Sequence, residues 1–177
     1  MIISTCHERL SEEEFVKPIV AITKERKIVH YLELDKVKVD ELIIICGTAL
    51  ADDEYLKHLG LFRFLKDFKH PVLGICSGMQ IIAMVFGGKL ARKTEIGMVK
   101  VKHSHRDRLL EGIGEAYCLH NNSILLPPGF IEIAKSEDCI QAIKHKEKPM
   151  YGIMFHPEVR NPELLDRFIK LGLNLKQ

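Results

Sequence analysis

The chain has 177 residues, a length that suits one domain with a core large enough to fold without disulfides or metals. Apolar residues make up 46% of it and charged residues 28%, and a formal net charge of +2 gives no reason to expect nucleic acid or an acidic membrane surface as a partner. No apolar run approaches the roughly 20 residues of a transmembrane helix, and the N-terminus has no signal-peptide pattern.

The five cysteines are odd in number, far apart and without a C-x-x-C pair. This pattern argues against a disulfide framework or a zinc knuckle and favours a reducing compartment. No repeat or linker divides the chain, so we expect a single cytoplasmic domain over residues 1–177. The cysteines are Cys6, Cys46, Cys76, Cys118 and Cys139.

The first half of the chain alternates predicted strands and helices. Met1–Ser4 and Ile28–Leu34 are predicted strands, and a helix of roughly 15 residues is predicted between them. Ser11 and Glu14 have the spacing of a capping box at the start of this helix, although Pro18 limits its regularity. The segment therefore predicts a strand–helix–strand unit.

Two continuous apolar runs follow, Glu41–Cys46 and Pro71–Cys76, and both are typical of strands buried on both faces of a parallel sheet. Helices are predicted after them, over Asp53–Phe68 and roughly Met79–Phe86. This alternation predicts an α/β fold, with a doubly wound, mostly parallel sheet and helices on both faces.

The second half carries shorter β-like stretches and then a predicted helix near Pro162–Leu173. We expect these stretches to extend the sheet and to add antiparallel strands. They are Met98–His103, Ala116–Leu119, Ile131–Ser136, Cys139–Lys144 and Met150–Phe155.

Cys76 lies where a predicted buried strand meets a helix, between Gly74 and Gly78. A tight turn there holds the side chain at the carboxyl end of the sheet, as in a nucleophile elbow. The helix N-terminus favours a thiolate, and the free N–H of Ser77 can stabilise an oxyanion. We therefore predict that Cys76 is a catalytic nucleophile and that the other four cysteines are structural.

A cysteine nucleophile needs a general base, and the base needs an orienting carboxylate. The predicted strand that starts at Met150 ends at His156-Pro157-Glu158. Side chains two residues apart in an extended chain point the same way, and Pro157 biases His156 toward extended geometry. The sequence therefore predicts that His156 and Glu158 act together.

The motif G-x-C-x-G-x-Q around Cys76, followed later by F-H-P-E around His156, resembles the class I (triad-type) glutamine amidotransferases, from about Glu41 to Phe168. Within that family the chain is most similar to the glutaminase subunit of archaeal GMP synthase. The segments that carry this similarity are Glu95-Ile-Gly97, His120–Phe130 and Ala142–Gly152.

The resemblance implies roles for individual residues. Cys76 would be the nucleophile, His156 the base and then the acid, and Glu158 the residue that orients His156. Gln80 matches the position that contacts the substrate glutamine. His120 falls in a segment that lines the same pocket, although Asn122 stands where an aspartate is usual.

Two segments depart from the family pattern. Where the family has a Gly-Gly pair that completes the oxyanion hole, this chain has a single glycine, Gly47, followed by Thr48. If the loop needs positive φ to present its N–H, Thr48 restricts it, and slow basal hydrolysis is expected, with Thr48→Gly raising the rate. The other departure is the N-terminal segment Ser4–Glu8.

The implied reaction is hydrolysis of L-glutamine to glutamate and ammonia through a cysteine thioester. No cofactor or metal is expected, because no metal-ligand cluster or phosphate-binding glycine loop can be recognised in the sequence. An ATP-dependent synthetase on a separate chain is the expected partner that receives the ammonia, and the resemblance implies GMP synthesis as its reaction.

Two alternatives remain open at the level of sequence. The same scaffold can carry another Cys-His-Glu amidase or a γ-glutamyl hydrolase, and the altered loop at Cys46–Ala49 is compatible with a different substrate. A non-catalytic regulatory subunit is the other alternative, against which the presence of all three of Cys76, His156 and Glu158 argues.

Overall fold

The structure is a computed structural model that describes residues 1–174. Ten strands are present in this part of the chain, and they form two sheets. The strands are β1 (Ile2–Ser4), β2 (Ile28–His30), β3 (Ile43–Ile45), β4 (Val72–Ile75), β5 (Lys89–Lys100), β6 (Lys102–His103), β7 (Glu115–Leu125), β8 (Phe130–Lys135), β9 (Ile140–His145) and β10 (Met150–Ile153).

The larger sheet has eight strands in the order β2-β1-β3-β4-β10-β9-β8-β6. Its first five strands are parallel, and β9, β8 and β6 continue it antiparallel. Strands β5 and β7 form a separate antiparallel hairpin. The sheet therefore confirms the predicted α/β class with added antiparallel strands in the second half.

Helices cover both faces of the sheet. The α-helices are α1 (Glu12–Phe15), α2 (Lys17–Thr23), α3 (Ser77–Val85), α4 (Pro157–Arg160) and α5 (Glu163–Asn174), and 3-10 helices span Arg9–Ser11, Tyr31–Lys36, Glu54–Lys66 and Arg108–Leu110. Within β3, Ile44 packs into one apolar cluster while Ile43 and Ile45 pack into the other. This alternation explains why the sequence of β3 is apolar throughout.

Three local predictions were wrong in detail. The strand predicted over Ile28–Leu34 ends at His30, because Tyr31 begins a 3-10 helix that buries its ring. The helix predicted after Ser11 is split at Val16, since Pro18 cannot donate a backbone hydrogen bond to the preceding turn. Ser11 makes no capping hydrogen bond through its side chain, so the predicted capping box is absent.

The segment predicted as a helix over Asp53–Phe68 is a 3-10 helix over Glu54–Lys66, and it is kinked at His58 (φ −119°). It lies beside α3 on the same face of the sheet. No helix in residues 1–174 is long and apolar enough to cross a membrane.

Candidate active site

Cys76 occupies a strained turn between β4 and α3. Its φ of 50° and ψ of −105° lie outside the regions that a residue with a side chain readily adopts. Hydrogen bonds hold the turn on both sides, since Cys76 N donates to Ile153 O at 2.8 Å and Gln80 N donates to Cys76 O at 3.1 Å. This is the geometry of a nucleophile elbow.

The turn requires glycine because strand and helix approach each other closely. A Cβ on Gly78 would stand 2.3 Å from the carbonyl oxygen of Ile45, and one on Gly74 would stand 2.5 Å from the backbone of Gly78. Both glycines of the motif therefore allow α3 to begin directly against the sheet.

His156 and Glu158 form a buried pair next to this turn. The distance from His156 Nδ1 to Glu158 Oε1 is 2.8 Å, and each side chain is 1% exposed. We predicted that the two side chains meet because both residues are extended. This was only half right, because His156 is extended but Glu158 lies in the first turn of α4. The side chains meet across the helix start instead of along a strand.

The charge state of His156 is set by its neighbours. Burial alone would lower the pKa of this imidazole, but the Cys76 sulphur and then the Glu158 carboxylate raise it from 6.5 to about 10. The Cys76 thiol itself points to Leu119 O at 3.7 Å, and Nε2 of His156 is buried without a hydrogen-bond partner among the described residues. Nε2 is thus available for proton transfer.

The ring of His156 is held between two neighbours. Its centroid lies 5.6 Å from that of Phe15, a buried residue of α1. On another side the ring touches the backbone at Gly47, where an added Cβ would stand 2.7 Å from His156 Cε1 and 3.4 Å from Cys76 Cβ. Gly47 therefore belongs to the site, and any larger residue there would displace the imidazole.

The predicted oxyanion donors lie at two converging chain segments. Ser77 is the first residue of α3, so its N–H has no intrahelical partner. Its Oγ donates to Cys46 O at 3.1 Å, and Thr5 Oγ1 donates to the same carbonyl at 3.0 Å. The two hydroxyl groups lie 2.8 Å apart, so they tie the start of α3 to the end of β3.

The expectation of a weak oxyanion hole stays a prediction, but neither Gly47 nor Thr48 has a positive φ. A threonine therefore fits this backbone without the strain that the sequence suggested. The Thr48 side chain is buried, and its hydroxyl donates to Asp52 Oδ2 at 2.5 Å.

Gln80 lies in α3, one turn after Cys76, and its side chain is fully engaged within the protein. Its Nε2 donates to Asn122 O at 2.8 Å, and its Oε1 accepts a hydrogen bond from the buried hydroxyl of Tyr55. Burial raises the pKa of Tyr55, which keeps this phenol protonated as a donor. The structure thus places Gln80 beside the nucleophile, where it links three segments.

His120 lies on β7 with its side chain on the face opposite that of its neighbour Leu119. Its Nε2 is 3.2 Å from Glu95 Oε2, and its Nδ1 is buried without a partner in the described part of the chain. Ser136 and Gln141 also donate to Glu95, each at 2.6 Å. Burial works against ionisation of Glu95, but its hydrogen bonds with His120 and Ser136 keep its pKa lowered.

This network also contains a grouping that the sequence did not reveal. Glu95, His120 and Cys139 each offer a ligand atom, and these atoms lie within 4.8 Å of one another. The Glu95 carboxylate already bonds to side chains of two strands and one turn, those of His120, Gln141 and Ser136, which is what a structural network requires. The residues came together only through the pairing of β5 with β7 and the fold of β8 on β9.

The four cysteines predicted to be structural are all buried. Burial raises the pKa of Cys46 and Cys118, and it raises that of Cys139 to about 11, so these thiols stay protonated. Cys6 differs, since a hydrogen bond with Cys46 lowers its pKa against the effect of burial.

Sequence reasoning missed several residues that complete the site. Phe15, Tyr55 and Asp52 lie in elements far from the motifs, and none is marked by a pattern in its own segment. Tertiary packing alone brings Phe15 to His156, Tyr55 to Gln80 and Asp52 to Thr48.

Comparisons with known proteins agree with this geometry. A family model described as glutamine amidotransferase class-I matches residues 4–173. One subunit of the glutamine-hydrolyzing GMP synthase of Archaeoglobus fulgidus is 38% identical over 145 residues, which are 75% of this chain and 79% of that protein. The corresponding subunit from Pyrococcus abyssi is 40% identical over 116 residues, which are 59% of this chain and 62% of that protein, less than two thirds of its length.

A solved structure from Thermoplasma acidophilum, also described as that of a GMP synthase subunit, superposes with a TM-score of 0.82 at 28% identity, covering 99% of this chain and 94% of that one. A glutamine amidotransferase structure from Thermotoga maritima has a TM-score of 0.65 at 18% identity, covers 99% of this chain and 93% of that one, and supports the fold. The chain belongs to the class-I glutamine amidotransferase family, which is the family and the enzyme class that its sequence predicted.

Proposed function

We propose that this chain hydrolyses L-glutamine with Cys76 as nucleophile, His156 as general base and acid, and Glu158 as the residue that orients His156. The observation that carries the proposal is the convergence of a strained Cys76 with a buried His156–Glu158 pair. Such a constellation serves acyl transfer to a thiol. Family membership supports the same reaction.

The first half of the reaction joins sulphur to carbon and releases nitrogen. Cys76 Sγ, as the thiolate that has given its proton to His156, attacks the side-chain amide carbon of glutamine. The oxygen that becomes negative is stabilised by the N–H groups of Ser77 and of the Gly47-Thr48 loop. His156, protonated because of its raised pKa, donates its proton to the leaving nitrogen from Nε2. Ammonia departs and a γ-glutamyl thioester remains on Cys76.

The second half returns the enzyme to its starting state. His156 now accepts a proton from water, and the resulting hydroxide attacks the thioester carbon. The carbon–sulphur bond breaks, and glutamate leaves. Glu158 keeps Nδ1 of His156 protonated and its ring oriented in both halves, because its Oε1 is 2.8 Å from Nδ1.

The ammonia is delivered to an ATP-dependent synthetase on a separate chain. The relatives' names support this part of the proposal, since they are subunits of GMP synthases. Amination in GMP synthesis is the acceptor reaction that we propose, with residues 1–177 acting as one cytoplasmic domain. Slow basal hydrolysis that rises when the synthetase docks remains part of the proposal.

The test measures ammonia released from glutamine by the purified chain, alone and with the synthetase subunit of a GMP synthase. Asparagine and a γ-glutamyl peptide serve as comparison substrates. We expect release from glutamine that rises with the synthetase. Preference for the γ-glutamyl peptide would support a hydrolase of different specificity, and no release under any condition would support a regulatory role.

A further inference from the structure

The carboxylate of Asp52 joins the loop after β3 to the N-terminal segment. Its Oδ2 accepts two hydrogen bonds, from Thr48 Oγ1 at 2.5 Å and from the backbone N–H of His7 at 2.7 Å. Its Oδ1 lies 3.3 Å from the N–H of Glu54, at the start of the following 3-10 helix. One side chain therefore holds three separate points of the chain together.

The same loop is held from its other side by the two residues that precede His7. Thr5 Oγ1 donates to Cys46 O at 3.0 Å, and the Cys6 thiol lies 3.7 Å from Gly47 O. Three consecutive residues of the N-terminal segment thus bond to the loop or to the carboxylate that fixes it. The two segments that depart from the family pattern are in direct contact with each other.

The position of this loop matters for the reacting atoms. Gly47 packs against both His156 and Cys76, so a shift of its backbone moves the N–H groups of Gly47 and Thr48 relative to the thioester carbon. Neither residue has a positive φ, so no glycine-specific backbone conformation defines the loop. Hydrogen bonds to a carboxylate are roughly twice as strong as those between neutral groups, so Asp52 is well suited to hold it.

We infer that Asp52 is a positioning residue for glutamine hydrolysis, which fixes the Gly47-Thr48 loop so that its N–H groups face the developing oxyanion. This inference rests on the proposed function for its catalytic meaning. Its structural part, the clamp of Thr48 and His7 by one carboxylate, can be measured independently of activity.

The kinetic test compares Asp52→Ala with Asp53→Ala. Asp53 is exposed and makes no capping hydrogen bond through its side chain, so its variant is a matched control. In Asp52→Ala we expect kcat to fall by about tenfold to a hundredfold with KM within about twofold, because only transition-state stabilisation is lost. The rate at which iodoacetamide alkylates Cys76 should be unchanged, since that reaction needs no oxyanion hole.

Two substitutions of Thr48 complete this test. Thr48→Val should lower kcat as Asp52→Ala does, while Thr48→Ser, which keeps the hydroxyl, should leave kcat near the wild-type value. The double variant Asp52→Ala/Thr48→Val should lose no more than the larger single loss, since the two residues act through one contact. Wild-type kcat in a folded Asp52→Ala variant would overturn the inference, as would a parallel fall of kcat and of Cys76 alkylation.

Amide hydrogen exchange of the loop separates this inference from the proposed function. Exchange at residues 47–51 should quicken in Asp52→Ala and stay at the wild-type rate in Asp53→Ala. Unchanged exchange in Asp52→Ala would overturn the clamp whether or not the protein hydrolyses glutamine. If the wild type releases no ammonia under any condition, the proposed function fails, and the exchange rates alone decide on the clamp.

Discussion

Glu158 Oε1 lies 2.8 Å from Nδ1 of His156, although the two residues differ in backbone conformation. His156 is extended (φ −102°, ψ 93°), while Glu158 lies in the first turn of α4. Pro157 separates them and starts the helix, so the carboxylate turns back toward the imidazole. The helix start therefore takes the place of the extended spacing that the sequence suggested.

Replacing Glu158 with glutamine should slow hydrolysis without abolishing it. Glutamine keeps the size of the side chain but removes the charge that holds His156 in one orientation and tautomer, so kcat should fall by about a hundredfold or more. The measurement is ammonia release under saturating glutamine. Full activity in Glu158→Gln would mean that another carboxylate orients His156.

The protonation of His156 gives a spectroscopic prediction. A pKa raised from 6.5 to about 10 means that the folded protein keeps the imidazole protonated across the range between those values. Cys76→Ala and Glu158→Gln should each lower this pKa, because each removes a negative neighbour that favours the charged ring. The pKa of His156 is measured from the NMR chemical shifts of its imidazole across a pH titration. A wild-type midpoint near 6.5 would contradict the prediction.

Phe15 should affect the reaction through its contact with the His156 ring. Phe15→Ala removes a buried ring and should lower the free energy of unfolding by about 3–5 kcal/mol. Phe15→Leu keeps most of the volume, so the protein should remain folded while kcat falls severalfold as the imidazole gains freedom. Thermal denaturation gives the stability and ammonia release gives kcat, and an unchanged kcat in Phe15→Leu would remove Phe15 from the positioning of His156.

For Thr48→Gly, in the loop after β3, the structure predicts the opposite of what the sequence suggested. Because neither Gly47 nor Thr48 has a positive φ, added backbone freedom in Thr48→Gly relieves no strain. The substitution instead removes the hydroxyl that bonds to Asp52, so basal hydrolysis should fall. A rise in the basal rate of Thr48→Gly would restore the idea that the threonine restricts the loop.

Much of this arrangement could be predicted from the sequence because it is local. The buried runs that became β3 and β4 were continuous in apolar residues, and Cys76 stood between two glycines at the junction of strand and helix. Likewise, His156 and Glu158 are two residues apart, so their pairing needed no knowledge of the fold.

The remainder depends on contacts between distant segments. Asp52 meets His7 across 45 residues of chain, and Tyr55 meets Gln80 across 25. No periodicity marks such polar pairs, since a single hydrogen bond leaves no repeating pattern in the sequence.

Cys76→Ala should leave the fold intact and abolish ammonia release, because alanine fits the turn but cannot attack the amide. Cys46→Ala is the matched control, since burial raises the pKa of that thiol and keeps it protonated. It should keep most of the activity. Complete loss in Cys46→Ala would show that its side chain is needed to place the neighbouring loop.

Mass spectrometry of the protein, quenched with acid during turnover of glutamine, tests the central claim most directly. We expect a wild-type species heavier by one γ-glutamyl group, with the adduct on the peptide that contains Cys76, and its absence from Cys76→Ala. Ammonia release without any adduct on Cys76, or an adduct that persists in Cys76→Ala, would contradict the assignment of Cys76 as the nucleophile.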